Sequence, residues 1–273
     1  MATVDARDNG NNTAYLVLDT ESVPDGRLLS LIKYPKENIT EEEAIARAQA
    51  EAREQSFRGS DFLPVTFQYP ISVAVVRVAA DFRLLDVRCI DAPQYRTRKI
   101  VEGFWKGLTA SRGAKLVTFN GRGFDLPLLE LAAFRYGCAL PEHYRRCRKR
   151  YDEFNLDLLE WLTNFGACRG GLPGGLNLLS KILGKPGKMD VAGDQVYTMY
   201  RAGQLKEIND YCMADTLDTY FVFLRTRVLT GELTLERELE LVQSAKAWIE
   251  GRVAEIPALQ KYLENWGDWQ PWP

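Results

Sequence analysis

Two acidic residues follow the first apolar run of the sequence. Asp19 and Glu21 stand two residues apart, directly after the apolar segment 14–18. Because side chains two residues apart on a strand point to the same face, both carboxylates can approach one point. Close carboxylates repel each other and burial adds to the cost, and a bound divalent cation removes this penalty. The pair therefore indicates a metal site, although D-x-E by itself also fits an exposed strand end or a turn cap.

A third carboxylate follows the fourth predicted strand, which covers 115–119. The strand runs into Asn120 and Gly121, a pair that favours turns, and a helix is predicted to start just beyond. Asp125 falls near the first turn of that helix, with Phe124 available to pack beneath it. The helix dipole favours an acid there without any ligand. Because ligand sites in α/β folds gather at the carboxyl ends of strands, Asp125 is nevertheless a candidate ligand.

A late helix, predicted over 205–226, carries the remaining candidates. Tyr211 and Asp215 are four residues apart, so they lie on one helical face. The apolar spacing also makes Tyr211 an ordinary core residue, in which case Asp215 would be a buried charge. A buried carboxylate needs a partner such as a metal ion, and Asp218 is a weaker substitute for Asp215 in that role. The predicted apolar face consists of Leu217, Tyr220, Phe221 and Leu224.

Composition excludes several kinds of chemistry. The single histidine, His143, excludes a multi-histidine metal site and any mechanism with a catalytic histidine elsewhere. Five cysteines without a C-x-x-C pair favour reduced thiols in the cytoplasm over a disulfide framework or a zinc site. The net charge of −2 neither supports nor excludes a polyanionic partner. What remains is the chemistry of carboxylates and oxygen-bound metals.

Length and hydropathy indicate an ordinary globular protein. A chain of 273 residues, 46% of them hydrophobic and 26% charged, suits one substantial domain with appendages or at most two small ones. No apolar run approaches the roughly 18 residues of a membrane span. The polar N-terminus also lacks the apolar stretch of a secretory signal. We therefore expect a cytoplasmic protein with no membrane partner.

The order of the predicted elements indicates one α/β domain, with a mixed sheet flanked by helices and a helical C-terminal extension. Thr40 and Glu43 are the expected capping box of the first helix, and 71–79 with 82–90 form a predicted hairpin. A strand or a helix start is predicted near 155–158. Further strands are predicted at 14–18 and 115–119, and helices at 40–55, 97–110, 123–136, 158–165, 176–183, 205–226 and about 233–266.

Taken together, the three acidic segments resemble the motifs of the DEDD superfamily of 3′→5′ exonucleases, which are D-x-E, N-x-x-x-(F/Y)-D and Y-x-x-x-D. Because a tyrosine rather than a histidine opens the third motif, the resemblance is to the tyrosine subclass. It is closest to the exonuclease domain of family B DNA polymerases, and more narrowly to stand-alone bacterial proteins described as polymerase-B-like predicted exonucleases. The matching segments are Asp19-Thr20-Glu21, Asn120 through Phe124-Asp125, and Tyr211 through Asp215.

This resemblance covers about residues 14–228 and implies a ribonuclease-H-like fold. We therefore predict a polar N-terminal tail at 1–13, an exonuclease domain at 14–228, and a helical extension with a tryptophan-rich tail at 229–273. The resemblance implies hydrolysis of phosphodiester bonds at the 3′ end of single-stranded nucleic acid, with DNA favoured over RNA. A non-catalytic nucleic-acid-binding module of the same fold and a phosphodiesterase for short oligonucleotides stay open as alternatives.

The same resemblance implies two divalent cations as cofactors. Hard carboxylate oxygens suit Mg²⁺ or Mn²⁺, and two such ions can activate a water and stabilise the leaving oxygen. By the resemblance, Asp19 bridges both ions, and Glu21 and Asp215 hold the ion that carries the nucleophile. Asp125 assists the second ion through water, and Tyr211 orients the attacking water.

Candidate substrate contacts lie inside and outside the motifs. Thr20, Asn120 and Phe124 are predicted substrate-binding residues because of their place in the motifs. Lys185 and Lys188 flank a glycine and a proline in a loop, and either one is a candidate for contact with a phosphate.

A dense basic run at 145–150 could follow a phosphate backbone, and equally fits a solvated helix face. The tryptophans near the end of the chain are expected to pack against the domain or a partner rather than to stack on bases. The basic residues of the run are Arg145, Arg146, Arg148, Lys149 and Arg150, and the tryptophans are Trp266, Trp269 and Trp272.

Overall fold

The computed structural model describes residues 13–57, 59–146, 148, 154–168, 170–189 and 193–271, and its centre is a five-stranded sheet. The strands are β1 (Thr13–Pro24), β2 (Gln68–Ala79), β3 (Leu84–Cys89), β4 (Lys115–Thr118) and β5 (Asn155–Asp157). They lie in the order β3-β2-β1-β4-β5. The β1–β2 and β2–β3 pairs are antiparallel, whereas the β1–β4 and β4–β5 pairs are parallel. This mixed sheet, flanked by helices, confirms the predicted α/β fold of the ribonuclease-H-like type.

Helices cover both faces of the sheet. They are α1 (Gly26–Ile32), α2 (Glu41–Gln55), α3 (Thr97–Ala110), α4 (Asp125–Tyr136), α5 (Pro141–Arg146), α6 (Leu158–Leu162), α7 (Gly175–Ile182), α8 (Val196–Arg201), α9 (Leu205–Leu229), α10 (Leu235–Glu250) and α11 (Ala258–Glu264). On one face, Leu16 and Leu18 of β1 pack with α3 and α4. On the other face, Val17 packs in a core that includes α9, α10 and α11. Alternate residues of β1 therefore serve different helices.

The long helix α9 lies between the sheet and the C-terminal helices. Its buried residues come from all sides of the helix, because α10 and α11 cover the side that faces away from the sheet. The prediction of a single apolar face was therefore too narrow. Leu241 of α10 and Tyr262 of α11 belong to the same core as Val17 of β1. A domain boundary near 228 stays a prediction, and this shared core crosses it.

Most predicted elements are confirmed, and the differences have local causes. The capping box of α2 is present, with reciprocal hydrogen bonds between Thr40 and Glu43, and the predicted hairpin forms β2 and β3. The single helix predicted at about 233–266 was wrong. It is divided into α10 and α11 because Gly251 ends the first helix and Pro257 precedes the second. The short helices α1, α5 and α8 were not predicted, since fewer than two turns carry little periodicity.

Some residues named in the sequence predictions lie outside the described ranges, and the predictions on cysteines and membrane spans can be compared directly with the structure. Residues 1–12, Lys149, Arg150 and Trp272 lie outside the described residues, and Thr13 belongs to β1 rather than to the predicted tail. The four cysteines within the described ranges are free thiols. Among the helices described above, none combines the length and the apolar character that a membrane crossing requires.

Candidate metal centre

Successive side chains of β1 point to opposite faces of the sheet, so its polar residues face two different helices. Asp19 and Glu21 share the parity of Val17 and therefore face α9. Thr20 has the opposite parity and faces α4. The register of β1 against β2 shifts between Glu21 and Ser22, and such a bulge bends a strand and re-aims the neighbouring side chains. The bulge thus follows directly after the second predicted ligand.

Hydrogen bonds fix the first turns of α9 against the sheet. The Ser72 hydroxyl of β2 donates to Asn209 Oδ1 at 2.6 Å, and the Cys89 thiol of β3 donates to the Asn209 carbonyl at 3.2 Å. One turn later, the Cys212 thiol donates to the backbone carbonyl of Asp19 at 3.3 Å. No sequence pattern indicated these contacts, and together they hold α9 against the middle of β1, which continues to Pro24 and does not end before Asp19 as predicted.

Three carboxylates converge between β1 and α9. One oxygen from each of Asp19, Glu21 and Asp215 lies within 4.8 Å of the other two, and all three residues are half-buried. Tyr211, one turn before Asp215, donates its hydroxyl to the Asp215 carboxylate. Oxygen ligands lie about 2.0–2.6 Å from Mg²⁺ or Ca²⁺, so two ligands of one ion are at most about 5 Å apart. The spacing of the three oxygens is therefore compatible with one shared cation.

The fourth predicted ligand, Asp125, lies beside this group. It is the first residue of α4 and only 3% exposed, and it lies outside the three-carboxylate group. Its Oδ1 accepts a hydrogen bond of 2.7 Å from the Thr20 hydroxyl, so the structure places Thr20 against a carboxylate rather than toward open solvent. The charge of Asp125 raises the pKa of both Asp19 and Glu21, which puts it within electrostatic reach of them.

A tight turn sets the start of α4. Asn120 has a left-handed φ of 68°, and its carbonyl accepts hydrogen bonds from the N–H groups of Gly123 and Phe124, each at 3.0 Å. A Cβ on Gly121 would lie 2.4 Å from the side chain of Thr118, so this close approach requires glycine. The turn therefore places Asp125 close to the carboxyl end of β4.

A further buried acid, Asp157 at the end of β5, holds that turn in place. Its carboxylate accepts hydrogen bonds from the backbone N–H groups of Asn120 at 3.0 Å and Arg122 at 2.9 Å. It also caps α6, since it accepts from the N–H groups of Leu159 at 3.0 Å and Glu160 at 3.3 Å. Asp157 was not among the predicted site residues, and the available signal was an aspartate just before an apolar helical segment.

Burial and mutual repulsion disfavour ionisation of the clustered acids. Burial, followed by the charges of Asp125, Glu21 and Asp215, raises the pKa of Asp19 well above its usual range. Burial, followed by Asp215 and Asp125, does the same for the pKa of Glu21. Burial also raises the pKa of Asp125 and of Asp215 to about 7, against a hydrogen bond to each carboxylate that lowers it. A divalent cation would relieve this repulsion.

Tyr211 and Lys188 complete the electrostatic surroundings of the cluster. Burial, and then the charge of Asp215, raises the pKa of Tyr211 far above its usual value, so the phenol stays protonated at neutral pH. The positive charge of Lys188 lowers the pKa of both Glu21 and Asp215. Lys188 is itself exposed, and its charge nevertheless acts on both acids.

An aromatic pair borders the site next to Asp125. The ring centroids of Phe124 and Phe62 are 5.5 Å apart, and Phe62 is 57% exposed. The side chain of Asn120 is exposed at the same turn. Exposed aromatic rings can stack on nucleobases. No sequence pattern had singled out Phe62, because its partner lies in a distant turn.

The basic helix α5 is not brought to the carboxylates. The Arg146 guanidinium lies 4.3 Å from the ring centroid of Phe154, which precedes β5. The acidic cluster instead lies near the carboxyl ends of β4 and β5, because Asp19 and Glu21 follow the β1 residues that pair with β4. Arg145 pairs with Glu142 at 2.8 Å. The structure therefore places both predicted substrate contacts, Arg145 and Arg146, away from the acidic cluster.

The single histidine has a structural setting on the same helix. His143 is buried, its Nε2 lies 2.6 Å from Glu130 Oε1, and its ring lies 4.8 Å from that of Trp105. Arg148 forms an ion pair with the same Glu130 at 3.3 Å. His143 is therefore packed between α3 and α4.

The two loop lysines have opposite surroundings. Lys185 is buried and donates its ammonium to the Gly267 carbonyl at 2.9 Å, so it is not available to a phosphate. Lys188 is exposed and faces the acidic cluster. Trp266 and Trp269 pack against the domain, as predicted.

The donor set fits hard divalent cations. It consists of carboxylate oxygens, which are the ligands that Mg²⁺ and Mn²⁺ prefer, and the raised pKa values indicate acids that lack compensating positive charge. The site also lies at the carboxyl ends of parallel strands, where α/β folds bind ligands. Fold and site together define a ribonuclease-H-like protein whose acidic cluster fits a metal site.

The chain belongs to the family of predicted 3'-5' exonucleases related to the exonuclease domain of PolB, and residues 60–266 match that family. The segments 120–125 and 211–215 lie inside the matched range, whereas Asp19 and Glu21 precede it. The match also continues past residue 228 and includes α10 and α11. No curated protein matches the chain.

Proposed function

We propose that this protein is a metal-dependent 3′→5′ exonuclease that hydrolyses the terminal phosphodiester bond of single-stranded nucleic acid, with DNA favoured over RNA. The observation that carries the proposal is the convergence of Asp19, Glu21 and Asp215, with one oxygen of each within 4.8 Å of the others. Membership of the exonuclease family supplies the reaction class. The fold alone would not, because unrelated activities share this type of fold.

Each carboxylate has a separate task in this proposal. Two Mg²⁺ or Mn²⁺ ions, when bound, would supply a water nucleophile at neutral pH and stabilise the leaving 3′ oxygen. Asp19 would serve both ions, and Glu21 and Asp215 would hold the ion that carries the nucleophile. Asp125, held by the Thr20 hydroxyl at 2.7 Å, serves the other through water. Thr20 is then a support for Asp125 rather than a direct substrate contact.

Tyr211 orients the attacking water. Its hydroxyl is hydrogen-bonded to Asp215 and stays protonated at neutral pH. A protonated phenol cannot accept the proton of the water, so Tyr211 is not the general base. Its contribution is the direction in which the water approaches phosphorus, which makes Tyr211 separable from the metal ligands by experiment.

Lys188 and the aromatic pair would hold the 3′ end of the strand. The exposed Lys188 ammonium faces the acidic cluster, where it can neutralise a phosphate oxygen. Phe62 and Phe124 offer a surface for the terminal base, and such stacking contributes about 1–3 kcal/mol for each base with little sequence preference. The exposed side chain of Asn120 can add a hydrogen bond to the sugar or the base. Stacking of this kind requires an unpaired end, which favours a single-stranded substrate.

The basic residues of α5 would act only on a longer strand. Arg145 and Arg146 lie near the amino end of β5, away from the cluster. Their present partners, an exposed acid and an aromatic ring, can be exchanged for phosphates, because exposed ion pairs contribute little. A dinucleotide in the site would be too short to reach them.

The experiment that tests the function is a nuclease assay on single-stranded DNA and RNA of one sequence, labelled at either end, with Mg²⁺, Mn²⁺ or EDTA. We expect the 5′-labelled DNA to shorten as a ladder of single nucleotides, and the 3′ label to be released at once as a mononucleotide. Asp215→Asn should lose this activity. Glu240→Gln, which removes the same charge from an exposed ion pair on α10, should keep it.

The same assay separates the alternatives. Degradation from the 5′ end, or no shortening by a protein that binds Mn²⁺, would contradict the proposal. Retention of oligonucleotides without shortening would indicate a binding module, and cleavage confined to substrates of a few nucleotides would indicate a phosphodiesterase. Faster turnover of the RNA would overturn the preference for DNA.

A further inference from the structure

The loop that follows α7, residues 184–189, is joined to the chain near its C-terminus by hydrogen bonds in both directions. The Gly267 N–H donates to the Gly184 carbonyl at 2.7 Å, and the Lys185 ammonium donates to the Gly267 carbonyl at 2.9 Å. A Cβ on Gly184 would lie 2.8 Å from the carbonyl of Asp268, so the two backbones are in direct contact. We call this loop the lysine loop.

The Lys185 ammonium is enclosed rather than solvated. Lys185 is 3% exposed, and its Nζ lies 3.8 Å from the ring centroid of Trp266. Trp266 packs in turn on Phe221 and Tyr262, with centroids 5.1 and 6.1 Å away. Burial lowers the pKa of Lys185 to about 8, which reflects the cost of enclosing an ammonium. The charges of Asp268, Asp218 and Glu238 act in the opposite direction on the same pKa, so the enclosed ammonium has acidic neighbours as well as the ring.

The far end of the lysine loop is fixed as well. The Lys188 N–H donates to Asn177 Oδ1 of α7 at 2.8 Å. Gly187 has a left-handed φ of 58°, and a Cβ there would lie 2.5 Å from the same Asn177 oxygen. The backbone is therefore held on both sides of the loop, immediately before the side chain whose charge reaches Glu21 and Asp215.

We propose that Trp266 and Gly267, together with Lys185, form a C-terminal clasp that positions Lys188 for the reaction. The clasp fixes the start of the lysine loop and Asn177 fixes its end, so the Lys188 ammonium is held beside the carboxylates, where the scissile phosphate would lie. The inference rests on the proposed function and gives Lys185 a positioning role away from the substrate. The helical extension then becomes a necessary part of the site.

Lys185→Met separates positioning from packing. Methionine keeps the apolar stem beneath Trp266 but cannot donate to Gly267. We expect an unchanged or higher urea midpoint, because the buried ammonium is gone, together with a fall in kcat/KM of about three- to tenfold, the range of one hydrogen bond. Lys246→Met is the matched control, since its Nζ lies 5.8 Å from the same ring of Trp266 but outside the clasp. It should leave kcat/KM unchanged.

A double-mutant cycle tests whether Lys185 acts through Lys188. If it does, Lys185→Met has no further effect on kcat/KM in a protein that already carries Lys188→Met. Hydrogen exchange supplies a readout that does not depend on turnover. The amides of 184–189 should exchange faster in Lys185→Met than in the wild-type protein or in Lys246→Met.

Two results would overturn the inference: losses that add in the cycle, or exchange in 184–189 that Lys185→Met does not change. Should Lys185→Met fail to fold, Trp266→Phe weakens the same clasp with a smaller ring and replaces it in both experiments. A wild-type protein without nuclease activity would refute the proposed function. The exchange comparison would still decide whether the clasp holds the loop.

Discussion

Two kinds of carboxylate lie near the carboxyl ends of β4 and β5. Asp157, only 3% exposed, accepts hydrogen bonds from the backbone N–H groups of four residues in the adjoining turn and helix. Asp19 and Asp215 instead lie next to each other and to Glu21. Asp157 is thus satisfied by backbone donors of the protein itself, whereas Asp19 and Asp215 lie beside other carboxylates, whose repulsion a cation would relieve. Burial of an acid therefore does not mark a functional site until its donors have been counted.

Asp218 extends this comparison to a third case. It lies one turn beyond Asp215 on α9 and is fully buried, and its Oδ1 accepts a hydrogen bond of 2.6 Å from the Tyr262 hydroxyl. Burial raises the pKa of Asp218 to about 6, while the hydrogen bond from Tyr262 lowers it. As a weaker substitute for Asp215, Asp218 had been a candidate ligand. The structure places it instead against α11, and it lies outside the three-carboxylate group.

The largest effect should come from Asp19→Ala. We expect turnover to fall at least a thousandfold, because the proposed bridging ligand is lost, while the free energy of unfolding without metal stays equal or rises as repulsion is relieved. Steady-state kinetics and urea unfolding measure the two. More than about a tenth of wild-type activity, a deficit under 1.4 kcal/mol, would remove Asp19 from the centre of the site.

Tyr211→Phe should lower kcat by about a hundredfold, at the lower end of what positioned proton-transfer and water-orienting groups contribute. Affinity for Mn²⁺ should barely change, because the hydroxyl is assigned to water and not to the cation. Calorimetric titration of both proteins with Mn²⁺ gives the comparison. An equal loss in metal binding would make Tyr211 a support of the ligands instead.

Asp157→Ala should show the reverse pattern and damage stability more than metal binding. Its removal leaves buried N–H groups without acceptors, so we expect the free energy of unfolding to fall by about 3 kcal/mol. Asp157→Asn keeps one acceptor oxygen and should fall by less. If Asp157→Ala keeps the wild-type urea midpoint but loses Mn²⁺ affinity, Asp157 belongs with the metal-site acids and not with the structural ones.

The pH dependence of stability tests whether the clustered acids destabilise the metal-free protein when they ionise. The pKa of Asp125 and of Asp215 is about 7 in the fold, above the value near 3.9 of an unfolded aspartate. Because the unfolded chain releases these protons first, the metal-free protein should lose stability as pH rises from about 4 to 7. Urea midpoints in EDTA between pH 5 and 8, compared with Asp215→Asn, measure this. If the urea midpoint of Asp215→Asn falls with pH as steeply as that of the wild type, Asp215 is not a source of the pH dependence.

The smallest effect should come from the basic run. If Arg145 and Arg146 contact phosphates of a longer strand, neutralising both should flatten the dependence of log K on log salt by about 1.4, since each single-strand contact contributes roughly 0.7. Turnover of a dinucleotide should not change. Anisotropy titrations at several salt concentrations give the slope, and an unaltered slope would show these residues to be a solvated face.

Local patterns predicted the clustering of the acidic side chains better than the contacts that support them. Strand alternation was enough to put Asp19 and Glu21 on one face, and helical spacing was enough to align Tyr211 with Asp215. Both relations depend on a few neighbouring residues. The order of strands and helices likewise predicted the α/β fold class.

The remaining features depend on contacts between distant segments. Asp157 holds a turn 35 residues before it in the chain, and Lys185 bonds to a carbonyl 82 residues after it. Phe62 borders the site only because its loop packs against the turn that contains Phe124. Such contacts leave no periodic trace in the sequence, so Lys185 was only one of two candidates for a phosphate contact and Asp157 was not among the predicted site residues.

The Cys212 thiol meets the Asp19 carbonyl across 193 residues of chain, and this separation has a consequence during synthesis. The nascent chain exposes Asp19 and Glu21 early, but Asp215 leaves the ribosome only after most of the protein has been made. Until then the early acids have no third ligand, so a truncated product should bind Mn²⁺ no better than an unfolded peptide does. Metal affinity should therefore report completed folding, with a late onset set by this long-range contact.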